Sequence, residues 1–128
     1  MAERIQRRGT GIERLDLASA QDLLEQLLPL DATRRPEMEV WLELVMLSRT
    51  EPTLRPLAVD AHAAIHRICE TVVAALAPDL GAQARQVETD ALHALLDGLA
   101  LHLALYPRQP GMTRARTALN AQLSGLAV

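Results

Sequence analysis

A chain of 128 residues with 49% hydrophobic content is long enough to close one core of its own, without staples and without dividing into domains. Its net charge of -3 gives no broad field for nucleic-acid phosphates, and its single cysteine, Cys69, excludes an internal disulfide or a paired-thiol metal knuckle. No secretory leader opens the chain and no uncharged apolar run reaches the length of a membrane span, so a reducing, cytoplasmic setting away from membranes is expected.

Aromatics make up only 2% of the residues, with no Phe, so the core must be built from Leu, Ala, Val, Ile and Met, a palette suited to helices. The basic residues are all arginines, as codon use in a GC-rich genome would give, and Arg4, Arg7 and Arg8 make a small basic cluster at the start. Ala2 to Arg8 reads as a short helix or the tail of a longer one, stopped by Gly9-Thr10-Gly11. A second helix follows from Leu17 to Leu28, with Asp16 or Ser19 as N-cap and Pro29 closing it. A third covers about Thr33 to Arg49, with Thr33 as N-cap and Pro36 in the first turn; its VWLELVML stretch is apolar on nearly every side, which predicts a sandwiched helix. A fourth runs from about Leu54 to Leu76 and stops at APDLG, and a fifth from about Ala82 to Tyr106 ends at YPRQPG. Thr113 is placed to cap a last amphipathic helix in which Ala115, Leu119, Leu123 and Leu126 share a face. No period-two alternation with turn chemistry occurs, so the fold class is all-α, a bundle of about six helices.

The fifth helix is too apolar for an ordinary surface helix. At about 100° per residue, Gln86, Asp90, His93 and Asp97 form one narrow polar stripe. Leu92, Leu95, Leu96, Leu99 and Leu103 make one apolar shoulder; Val87, Ala91, Ala94, Gly98, Leu101 and Leu105 make another. One shoulder can face the chain's own core and the other needs a second partner. Ala94 and Gly98, small and one turn apart, suit close approach of another backbone. The alternative is a central helix surrounded entirely by its own chain. A symmetric dimer satisfies the pattern through a bundle of the last two helices and their symmetry mates.

From LLEQLLPLDATRRPEMEVWLELVMLSRTEPTLRPL, through HALLDGLALHLALYP, to the last amphipathic helix, the chain resembles the C-terminal region of TetR-family transcriptional regulators over about Ala20 to Leu126. The resemblance implies a homodimer formed by a four-helix bundle of the last two helices, a small effector bound inside the helical domain, and operator DNA read only through an N-terminal helix-turn-helix domain. That reading domain is expected to be absent, with residues 1–16 the remnant of the connecting helix and linker and residues 17–128 the ligand-binding and dimerisation domain. The dimer interface expected on this basis is Ala91, Ala94, Gly98, Leu101, Leu105, Leu119 and Leu123. A cavity along the fourth helix would be lined by His62, His66 and Cys69, with Met38, Trp41 and Val45 opposite, and would take a moderately apolar or amphipathic effector. The ordinary alternative for each histidine is a partly exposed, solvated side chain.

Other chemistries are weaker. His62 and His66, at i and i+4, match a helical spacing used by zinc ligands, but two ligands do not make a site, and Glu43, Asp90 or His93 from a neighbouring helix would have to converge on them. Asp90-Ala-Leu-His93 echoes one element of a di-iron bundle without the second element or its extra glutamates, and His93 with Asp97 reads as a surface pair. Ser19, Ser48 and Ser124 lie in no nucleophile-elbow context and no glycine loop cradles phosphate, so neither catalysis nor a cofactor is expected. The remaining readings are a metal-binding helical protein and a ligand-free helical dimerisation module.

Overall fold

The computed structural model describes residues 15–31, 33–106 and 109–127. Five α-helices follow one another: α1 Leu17–Glu25, α2 Arg34–Leu47, α3 Arg55–Leu76, α4 Ala82–Leu105 and α5 Gln109–Leu126, with a 3-10 turn at Pro52–Leu54 before α3. The helix read over Ala2 to Arg8 lies outside the described residues. Among the described residues there is no strand, and no helix is long and apolar enough to cross a membrane.

Local chemistry sets the ends. Asp16 caps α1, its carboxylate accepting from the Ser19 N–H at 2.7 Å; this bond to the charged form holds its pKa below the usual carboxylate range. α1 ends at Glu25, short of Leu28, because the chain turns through single 3-10 type bonds there, and Leu27, Leu28, Pro29 and Leu30 then bury themselves as a plug. The cap of α2 is not the Thr33 hydroxyl. Asp31 accepts from the N–H groups of Thr33 at 3.0 Å and Arg34 at 2.8 Å and also pairs with the Arg34 side chain, which lowers its pKa. The α5 start also differs from expectation: the helix begins at Gln109, so Thr113 sits within it, its carbonyl accepting from the Thr117 hydroxyl at 3.0 Å.

The core is closed by α1, α3, α4 and α5. Ala20, Leu23 and Leu24 from α1, Cys69, Val72 and Val73 from α3, Leu92, Leu96 and Leu103 from α4, and Leu119 and Leu123 from α5 are all buried. α3 and α4 make the most extensive contact between helices. At the α1–α5 seam, Asn120 donates to the Gln21 side chain at 2.7 Å and Arg116 pairs with Glu25 at 2.9 Å. Two expectations are corrected here. α2 is not sandwiched: only Met38 is buried, while Val40, Met46 and Leu47 are more than half exposed, because α2 leans on α3 and α4 along a single edge. Leu119 and Leu123 are closed off inside this chain at 0% exposure and so cannot meet a partner; their face packs against α1 and α4.

The two shoulders of α4 part as their pattern predicts. Leu92, Leu96 and Leu103 enter the core, with Leu95 and Leu99 half-buried. On the other side Val87, Leu101 and Leu105 are 59%, 42% and 58% exposed, and Ala91 and Ala94 beside them are exposed too. A Cβ built on Gly98 would find nothing within 4 Å in its own chain.

Candidate functional site

α2, α3 and α4 meet around a cavity of about 300 Å³. Met38, Trp41, Leu42 and Val45 form its α2 wall, Ala58, His62 and Ile65 its α3 wall, and His93, Leu96, Asp97, Ala100 and Leu101 its α4 wall, with Leu27 from the plug after α1. The lining is aliphatic apart from Trp41 and one polar edge of two imidazoles and a carboxylate, which is how small-molecule sites are commonly made: much apolar surface and few polar groups that fix orientation. A larger, more open hollow of about 450 Å³ lies elsewhere, between the end of α4 and the start of α5, and includes Tyr106, Gly111 and Arg114.

Of the residues expected to line a cavity, Met38, Trp41, Val45 and His62 do so together; His66 and Cys69 do not. His66 is one turn further along α3, and Cys69, nearly a turn beyond that, points into the core with Val72 and Val73 at 0% exposure. Burial, reinforced by the charges of Asp97 and Glu70, pushes the Cys69 thiol up to about 12, so it is an inert apolar side chain.

The residue that the surface-pair reading misplaced is His93. Its place in the polar stripe of α4 predicts a surface pair with Asp97, yet the residue is 4% exposed, because His62 and His66 of α3 close over it. The His62 and His93 rings lie 4.4 Å apart between centroids, tilted by 31°. His66 Nδ1 meets His93 Nδ1 at 3.1 Å, a hydrogen bond in which one nitrogen donates. On its far side, His66 Nε2 faces Glu70 Oε1 at 3.5 Å and Asp90 Oδ1 at 3.8 Å. His93 Nε2 lies 3.6 Å from Asp97 Oδ2, too far for a hydrogen bond, and has no hydrogen-bond partner among the described residues. Burial lowers the His93 pKa, and the neighbouring imidazoles add to this against the opposing pull of Asp97 and Asp90, so the ring is neutral at physiological pH. The signal in the sequence was the spacing His62, His66 on one helix and His93, Asp97 on the next, two i, i+4 pairs that interlock only when α3 and α4 pack at this register.

The comparisons with known proteins bear on the whole domain. No curated protein and no solved structure matches this chain. The profile of the family described as BetI-type transcriptional repressor, C-terminal, matches residues 17–128, from the first residue of α1 past the end of α5. With an all-α architecture and that match over most of its length, the chain belongs to the BetI-type repressor C-terminal domains of the TetR family.

Proposed function

We propose that this domain senses a small molecule in the cavity between α2, α3 and α4 and pairs with a second copy through the outer shoulder of α4, as the regulatory part of a transcriptional repressor. The observation that carries the reading is the cavity: about 300 Å³, largely aliphatic on three helices, with the ionisable side chains of its lining, His62, His93 and Asp97, gathered together on α3 and α4. That composition suits a moderately apolar or amphipathic effector with one polar end. Leu101 belongs both to the cavity wall and to the exposed shoulder, so an occupant touches the helix that would carry the dimer contact. The occupant acts only to the extent that it prefers one placement of α4 over another. Operator contact falls to a separate reading domain, and residues 1–128 alone, at net charge -3, are expected to show no sequence-specific shift of operator DNA.

The test is a thermal-shift screen of small amphipathic compounds on the wild type and on Ala58→Phe, which fills the cavity from its α3 wall. A ligand at 100 times its Kd stabilises the folded state by about 2.7 kcal/mol. Hits that raise the melting temperature of the wild type and lose their effect in Ala58→Phe support the reading. Hits that stabilise both proteins equally bind elsewhere and count against it, and a cavity that no compound class occupies leaves a domain whose business is assembly.

A further inference from the structure

We propose that His62, His93 and Asp97 form a binding site for a divalent transition metal ion of the zinc class at the polar edge of the cavity. One ligand atom from each of the three lies within 4.8 Å of the other two, and they come from two helices whose packing fixes their approach. The site needs no organic effector and stands or falls by metal alone.

The tautomers follow from the neighbours. With both imidazoles neutral, either Nδ1 can carry the proton in the His66–His93 hydrogen bond. If His66 carried it there, its bare Nε2 lone pair would face the carboxylates of Glu70 and Asp90 at 3.5 and 3.8 Å, a repulsive arrangement. With the proton on His66 Nε2 instead, that N–H faces the carboxylates, and His93 donates from Nδ1 to the His66 Nδ1 lone pair. His93 Nε2 is then a lone pair aimed at the Asp97 carboxylate across 3.6 Å, in a side chain only 5% exposed and with no hydrogen-bond partner among the described residues. A buried imidazole lone pair facing an exposed carboxylate at the cavity edge is an arrangement that a cation between them completes.

The spacing fits one. Zinc takes imidazole nitrogen and carboxylate oxygen at about 2.0–2.2 Å, so adjacent tetrahedral ligands stand roughly 3.4 Å apart, close to the observed 3.6 Å. His62, exposed and with its ring packed 4.4 Å from that of His93, offers the third ligand atom within 4.8 Å of the other two. His66 is then a positioning residue: it holds the His93 ring and its tautomer, as the outer hydrogen bonds of metal-binding histidines commonly do. Two imidazoles and a carboxylate favour zinc, nickel, cobalt or copper over magnesium or calcium, and leave a fourth position open towards the cavity for water or another donor.

The experiment uses the full chain purified without a histidine tag and stripped with a chelator. Zn²⁺ is titrated by calorimetry and Co²⁺ by visible absorption, against the wild type, His62→Gln, Asp97→Asn, His66→Gln and, as control, His102→Gln on α4. The expected result is one ion per chain with a tetrahedral cobalt spectrum, a loss of affinity of at least about tenfold in His62→Gln and Asp97→Asn, a loss within roughly 10–100-fold in His66→Gln, and none in His102→Gln. His62 and Asp97 are exposed, so their variants keep the fold, which melting in chelator verifies. Absence of stoichiometric binding by the wild type overturns the proposal, as does binding that survives both His62→Gln and Asp97→Asn, which would mark an adventitious ion on surface histidines only.

Discussion

Gly98 offers the cleanest test of how α4 is used. On the helical wheel Ala91 and Leu105 fall within about 20° of it, so Gly98 stands at the centre of the outer shoulder. Glycine there costs its own helix about 1 kcal/mol relative to alanine, and nothing within the chain explains the expense, since an added Cβ would meet no atom within 4 Å. Gly98→Ala should therefore raise the stability of the isolated fold by about that amount, and Gly98→Leu should not lower it. Across a two-fold interface the outcome reverses. A leucine would push into the facing helix at two symmetry-related places, and overpacking costs roughly 1–3 kcal/mol at each, about 2–6 kcal/mol for the pair. This corresponds to a dimer dissociation constant weakened at least about 30-fold. Sedimentation equilibrium over a concentration series, with thermal melts of the same samples, separates the two effects. A wild type that sediments as a monomer at all concentrations, or a Gly98→Leu protein that dimerises as tightly as the wild type, would remove the outer shoulder of α4 as an interface.

Three further outcomes follow from the described contacts. Leu123→Ala empties a fully buried position between α5 and the rest of the core and should cost roughly 2–5 kcal/mol in urea unfolding, with self-association of the surviving fold unchanged because this residue reaches no partner. Cys69, buried and with its thiol pushed up to about 12, should react with a disulfide reagent only as fast as the protein opens, many times more slowly than in denaturant; rapid reaction in the native state would mean that α3 and α4 separate there. Asp31 has a folded pKa below its usual value, so its cap on α2 contributes fully above the ordinary carboxylate range and is lost as pH falls through the lower folded value; Asp31→Asn should flatten the acid limb of a urea-midpoint profile, and an unchanged limb would show that the cap does not contribute.

Much of the fold was written in periodicity. Long apolar-periodic segments bounded by Gly81, Pro78 and the TEPT turn gave α3 and α4 to within a residue or two, because those ends depend on chemistry local to the chain. Ends that depend on a neighbour were less legible. Asp31 replaces Thr33 as the cap of α2 because the turn after the LLPL plug brings its carboxylate under the helix, and the sequence offers both oxygens equally. The apolar stripe of α5 marks a buried face without naming what buries it. It turned inward, onto α1 and α4, where the outer shoulder of α4 stayed open.

The same limit explains His93. A wheel assigns a residue to a stripe and treats that stripe as solvent, but a polar stripe can face another polar stripe. The Asp90, His93 and Asp97 edge of α4 lies against His62 and His66 of α3, so each helix supplies the polar surroundings of the other, and a position that is hydrophilic by pattern becomes one of the most buried in the cavity wall. Keeping five ionisable groups there costs stability that leucines would not, since each polar atom removed from water must find a partner and His93 Nε2 has none among the described residues. α4 thus presents leucines to the core, an apolar shoulder of Val87, Ala91, Ala94, Leu101 and Leu105 to the exterior and an underpartnered imidazole to the cavity. Packing accounts for the first face. The other two are the faces assigned to the proposed second copy and the proposed bound species.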